Sequence, residues 1–197
     1  MAKEKNRRST AYHEAGHAVA QARFKLKIKR VSIVEDVDSL GVMRGRLATI
    51  LSRAIHDNSG KMRLNVESDV IVCLAGMAAQ SAFMPRSVRK HHARGDHEIA
   101  VRLLNIITAS NEELTAYVKL LEIRAKQLMK RRCIRVQVKA LAKALLIRKT
   151  LKGEEVKAVI SGAFSEAVEA RSNVAAHSRR RSILAGTSVR NPAASTA

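Results

Sequence analysis

Val70 to Ala79 runs through ten residues without a charged side chain, inside the proline-free segment Lys61 to Phe83. An apolar run embedded in so long a segment exceeds a strand and predicts a helix buried on most of its surface. A helix of that kind forms only where other elements wrap it, so it sets the centre of the fold. The rest of the chain supplies material for wrapping. Two prolines and nine glycines in 197 residues leave few breakers, and 3% aromatics with no tryptophan point to a core of Leu, Ile, Val and Ala. The expected class is mainly α (α+β), a helical domain with a small β hairpin or sheet after the first helix.

Tyr12 to Phe24 predicts a first helix of about fourteen residues, with Ser9 and Thr10 as N-cap candidates. Lys29 to Val34 alternates in the manner of a strand, and a second strand is expected after Gly41, through Val42 and Met43 to Leu47. Ile55 to Gly60 reads as a loop, and Met84 to Arg94, with Pro85 and its run of basic residues, as another. Gly95-Asp96-His97-Glu98 opens a helix with acids in its first turn, where the helix dipole favours them. Further helices are expected from Asn111 to about Arg131, from Val136 to Ile147, and from Glu154 to Val168. Residues 1–170 read as one domain and residues 171–197 as a disordered basic tail.

Two cysteines, Cys73 and Cys133, lack the paired spacing of a zinc knuckle or a disulfide framework, so reduced thiols and a cytoplasmic location are expected. No apolar stretch is read as approaching the eighteen or so residues that span a bilayer, and no membrane span is expected. The net charge is +20, and residues 99–197 carry 19 Lys and Arg against 7 Asp and Glu. Such a field attracts polyanions in a salt-dependent way. With few aromatics for base stacking and no recognition motif, nucleic-acid binding is expected to be at most non-specific.

His13-Glu14-Ala15-Gly16-His17 matches H-E-x-x-H, a pattern expected by chance only about 0.015 times in a chain of this composition. On a helix, His13 and His17 lie one turn apart on one face and can offer two imidazole nitrogens to one metal, with Glu14 beside them. The alternative is an amphipathic helix with two polar-face histidines. A third ligand is open by residue type among His56, Asp57, Asp69, His91, His92, Asp96, His97 and Glu98. Gly16, a poor helix former, leaves room for close approach of another element.

Several ordered motifs together resemble the peptidase domain of FtsH-type zinc metalloproteases, from about Ser9 to Ser165. They are Ala11-Tyr12-His13-Glu14-Ala15-Gly16-His17-Ala18, Lys29-Arg30-Val31-Ser32-Ile33, Leu40-Gly41 and Leu74-Ala75-Gly76-Met77-Ala78-Ala79 with Phe83. Gly95-Asp96 with Ala100, Ala140-Leu141-Ala142, and Thr150-Leu151-Lys152-Gly153-Glu154-Glu155-Val156 complete the set. The resemblance implies Zn2+ held by His13, His17 and Asp96, with Glu14 as the catalytic acid/base of an endopeptidase. Departures are equally specific. Gln80 stands where the family has an acid, Lys90-His91-His92 replaces a small Thr/Ser-Gly stretch, and the proline-arginine-glycine loop after Ile33 is missing.

The family is ATP-dependent and membrane-anchored, whereas this chain starts twelve residues before His13, without a phosphate loop. The expected activity is therefore hydrolysis of peptide bonds in unfolded or flexible proteins. A separate ATPase partner and a homo-oligomer, hexameric by resemblance, are the implied associates. The strand from Arg30 to Val34 is expected to offer an edge to extended substrate. The rival readings are a catalytically silent domain acting as a binding or regulatory partner, and a basic nucleic-acid-associated module.

Overall fold

The computed structural model describes residues 2–34, 59–88, 94–166, 168 and 169. The strand expected after Gly41, the candidates His56, Asp57, His91 and His92, and the tail from residue 171 lie outside these. So does most of the loop expected between Ile55 and Gly60.

Helix α1 spans Ala2–Arg23. It begins well before the expected cap because Ser9 and Thr10 turn inward on the helix itself, each hydroxyl donating to the carbonyl of Asn6 at 2.9 and 3.1 Å. That back-bonding satisfies the side chains and lets the Lys, Glu and Ala upstream continue the helix. α1 ends in a Schellman-type cap: Leu26 N–H donates to Gln21 O at 2.9 Å and Lys25 N–H to Ala22 O at 3.1 Å. Lys25 takes φ 56°, in the left-handed region, where glycine would avoid a cost of about 1–2 kcal/mol.

Strand β1, Arg30–Ser32, follows. Its partner is β2, Thr150–Lys152, antiparallel, with Val31 opposite Leu151. Both central side chains are buried and their neighbours face outward. A three-residue strand between two helices has too few positions to show an alternating period, so β2 leaves no signature in the sequence.

Helix α2, Gly60–Phe83, is capped by Ser59, whose hydroxyl accepts from Met62 N–H at 3.3 Å. It is the hub, packing against α1, α3 (Arg94–Leu104) and α4 (Asn111–Lys130). By length and composition α2 could cross a membrane, with a mean hydropathy of 1.3, which corrects the reading that no segment approaches that size. In this fold most of its apolar surface is buried inside the protein. Glu67 ties α2 to α4, accepting from Tyr117 Oη at 2.7 Å and Arg124 Nη1 at 2.6 Å.

Within the loop expected from Met84 to Arg94, Pro85–Ser87 forms a 3-10 turn and Arg94 already belongs to α3. Buried Gln80 holds this turn, its amide donating to the Ser87 carbonyl at 3.2 Å and hydroxyl at 3.1 Å. Those bonds need an amide donor, which accounts for a neutral residue where an acid would set acceptor against acceptor. Ser110 caps α4 through Glu113 N–H. Helix α5, Arg132–Arg148, packs on α1, and residues 153–166 form α6.

The α1–α2 contact is unusually close. A Cβ on Gly16 would lie 2.6 Å from both the Ala75 carbonyl oxygen and Ala79 Cβ. Here a missing side chain admits another element, and it brings the His13–His17 face of α1 down onto α2.

Candidate metal centre

His13 and His17 stand one turn apart on α1, and Asp96 enters from the first turn of α3. His13 Nε2 lies 3.0 Å from His17 Nε2 and 3.0 Å from Asp96 Oδ2, and His17 Nε2 lies 3.2 Å from Asp96 Oδ2. These three donors form a nearly equilateral triangle. Tetrahedral zinc with bonds of about 2.0–2.1 Å separates its ligand atoms by about 3.3 Å. Two nitrogens and a carboxylate oxygen at this spacing therefore fit a zinc-type ion and leave one coordination position open.

His17 is oriented from behind. Its Nδ1–H donates to the carbonyl of Val72 on α2 at 2.7 Å, and because a carbonyl can only accept, this fixes Nε2 as the atom facing Asp96 and His13. One turn further along α2, Gly76 lies directly against the imidazoles. A Cβ there would collide with His17 Nε2 and lie 2.7 Å from His17 Cε1 and 2.8 Å from His13 Nε2. The apolar sequence around residue 76 predicts burial, and a lone glycine within a Val, Leu and Ala helix is the signal of a close approach. Nothing in the sequence indicates what approaches it.

At the C-terminal end of α2, Phe83 stacks on Tyr12 with ring centroids 4.8 Å apart and planes 13° from parallel. The Arg135 guanidinium sits 4.6 Å over the same ring. This sandwich joins α1, α2 and α5 next to His13 and sets the register in which the histidines meet α2.

Burial works against a charge on His17, but Asp96, by its charge and by a hydrogen bond, outweighs it and raises the imidazole from 6.5 to about 9. Burial likewise opposes ionisation of Asp96. The charge of His17 and hydrogen bonds from His13 and His17 override it and hold the carboxyl well below the usual carboxylate range. The pairing therefore stabilises the metal-free fold fully between the ordinary values of the two groups, 3.8 and 6.5; that contribution is lost as pH rises through about 9, and again in acid as Asp96 takes up a proton.

A metal must displace the Nε2 proton of His17, so uptake below about pH 9 releases a proton that uptake well above that pH does not. Calorimetry in buffers of different protonation enthalpy reads this directly. Zinc-binding enthalpies at neutral pH that do not vary with the buffer would contradict it.

Glu14 is half-buried on α1, and its charge also favours protonation of His17. Other acids and histidines named by residue type are elsewhere. Asp69 is buried in α2, His97 lies 3.9 Å from Glu122 of α4, and Glu98 pairs with Arg94 at 3.0 Å. Among the described residues, His13, His17 and Asp96 are the group brought together with metal-ligand spacing.

No family model matches the chain. A stretch of 83 residues, 41% of the chain, is 35% identical to the ATP-dependent zinc metalloprotease FtsH of Ruminiclostridium cellulolyticum. The match spans 12% of that relative's length. It supports a relation to the FtsH family and a link to a zinc protease lineage.

Proposed function

We propose that this chain is a zinc-dependent endopeptidase acting on unfolded or flexible polypeptides, with His13, His17 and Asp96 as metal ligands and Glu14 as general acid/base. The observation that carries the reading is the triangle of donor atoms at 3.0, 3.0 and 3.2 Å, with Glu14 on the same helix as two of them. The partial likeness to a zinc protease supports the same chemistry.

Zinc, when bound, acts as a Lewis acid that lowers the pKa of water to about 7 and polarises a carbonyl. The protein's own groups do the rest. His17 is held by the Val72 carbonyl so that Nε2 keeps one direction, and the rigid α1–α2 contact fixes both imidazoles before substrate arrives. Glu14 accepts a proton at its carboxylate from the attacking water and returns it to the departing amine nitrogen, a role worth about 10²–10⁴-fold in rate.

Substrate must reach the site as an extended chain. β1 is bonded to β2 along one side, and its strand geometry supports backbone pairing with a peptide. Delivery by a separate ATPase, assembly into a ring and a cytoplasmic location belong to the same reading.

The test is metal dependence. The protein as purified holds one equivalent of zinc, a chelator abolishes cleavage of an unfolded protein such as casein, and zinc restores it. His13→Ala loses both zinc and cleavage. Cleavage that persists after complete zinc removal would overturn the assignment, and zinc bound without cleavage would favour a silent, regulatory domain.

A further inference from the structure

A second surface, sharing no residue with the metal centre, lies where the end of α1 meets α6. A cleft of about 570 Å³ opens there, with Leu26, Ile28 and Ile160 in its floor and Lys25, Lys27 and Lys157 around its rim. Among the described residues the lining holds no acid, and Lys157 reaches Glu154 at 2.8 Å, a carboxylate 85% exposed and therefore easily exchanged for another.

The apolar floor continues along α6 at helical spacing. Lys157, Ile160 and Phe164 fall on one face of α6, with Phe164 48% exposed, and Val168, four residues further on, is 47% exposed. Phe164 and Val168 thus extend the cleft floor into a contiguous apolar stripe, and contiguous apolar surface rimmed by polar residues marks interaction sites. Lys25 adds a second observation. It occupies a left-handed backbone position where glycine is preferred, so its charge is placed at the rim against the conformational preference of the chain.

From this combination we infer that the cleft and the outer face of α6 form a docking site for an acidic amphipathic helix of another protein. The partner's apolar side chains enter the floor and lie along Phe164 and Val168, and its carboxylates meet the three lysines. The stripe runs along a helix axis, which suits a second helix laid beside it at i, i+3, i+4 and i+7 spacing. The recessed floor beneath a lysine rim receives projecting side chains, whereas a flat bilayer surface would meet the lysines and leave the floor empty. The net charge of +20 speeds encounter with such a partner, and the cleft selects among acidic chains.

The test uses the full chain and a fluorescent synthetic peptide of about twenty residues with Leu along one helical face and Glu on its flanks. The expected result is saturable binding that weakens with salt. Lys25→Glu/Lys27→Glu/Lys157→Glu lowers affinity at least tenfold more than Lys119→Glu/Lys126→Glu/Lys130→Glu, which makes the same change in net charge on exposed sites of α4. Phe164→Ser weakens binding, and a peptide with the same residues scrambled to destroy its apolar face binds poorly. Lys25→Gly raises the urea midpoint for unfolding while weakening the peptide, because it relieves the backbone and removes a rim charge.

Equal losses from the two lysine triples, or equal binding of the scrambled peptide, would reduce the site to general electrostatics and overturn the inference. Groove-dependent binding to anionic phospholipid vesicles with no binding of the peptide would replace it with a membrane surface. Zinc removal leaves peptide binding unchanged, so this outcome is independent of the proposed catalysis.

Discussion

Glu14→Gln lowers the rate of cleavage of an unfolded protein by about 10²–10⁴-fold while one equivalent of zinc stays bound. The amide is isosteric with the carboxylate, so α1 and the donor triangle on it are retained, but a glutamine cannot accept and return a proton. Loss of rate with zinc and fold intact separates the chemistry of Glu14 from any structural part. Zinc content by elemental analysis and initial rates on casein measure the two quantities on the same samples. If the variant cleaves as fast as the parent, Glu14 is not the proton carrier. If neither protein cleaves although both hold zinc, the enzyme reading itself falls.

Gly76→Ala is the second large effect, and its sign runs against helix propensity. Within a helix, alanine is ordinarily favoured over glycine by about 1 kcal/mol. At position 76 the new methyl would overlap His17 Nε2 and press on His13 Nε2, the two nitrogens proposed to hold zinc. The imidazoles cannot retreat without leaving the Val72 carbonyl and opening the triangle with Asp96. The expected result is a zinc affinity about 10–100-fold weaker, together with metal-free stability lower by about 1–3 kcal/mol. Gly162→Ala on α6 is the matched control. Beyond the backbone of its own helix turn and its chain neighbours, nothing lies within 4 Å of a Cβ at that site, so the same exchange leaves zinc binding unchanged and stability equal or higher. A Gly76→Ala protein with unaltered zinc affinity would contradict the described approach of α2 to the histidines.

The helices are the part of this fold most legible in the sequence, since apolar residues recurring with helical period bury one face of each. α4 runs from Asn111, where its expected start lay, to Lys130, one residue short of its expected end. Boundaries were less legible where polar side chains had local alternatives, as at Ser9 and Thr10, whose hydroxyls serve the carbonyl of Asn6 instead of capping. The small sheet is legible in kind, while its described partner strand is not. A strand of three residues has no period of its own, so the choice of Thr150–Lys152 as partner for Arg30–Ser32 depends on α5 and α6 delivering it there.

His13, Glu14 and His17 were placed together by sequence alone, because a helix brings residues four apart onto one face whatever surrounds it. Asp96 was different. By residue type it was one acid among several, and a resemblance singled it out. Its 3.0 Å approach to His13 follows from α3 and α1 both packing against α2. The same packing made Gly76 part of the site's rear wall and the Val72 carbonyl the orienter of His17. Local chemistry travels with the chain, so it could be read one residue at a time. Distances between helices are set by where side chains are missing, and at Gly16 and Gly76 only the folded protein reveals what occupies the space.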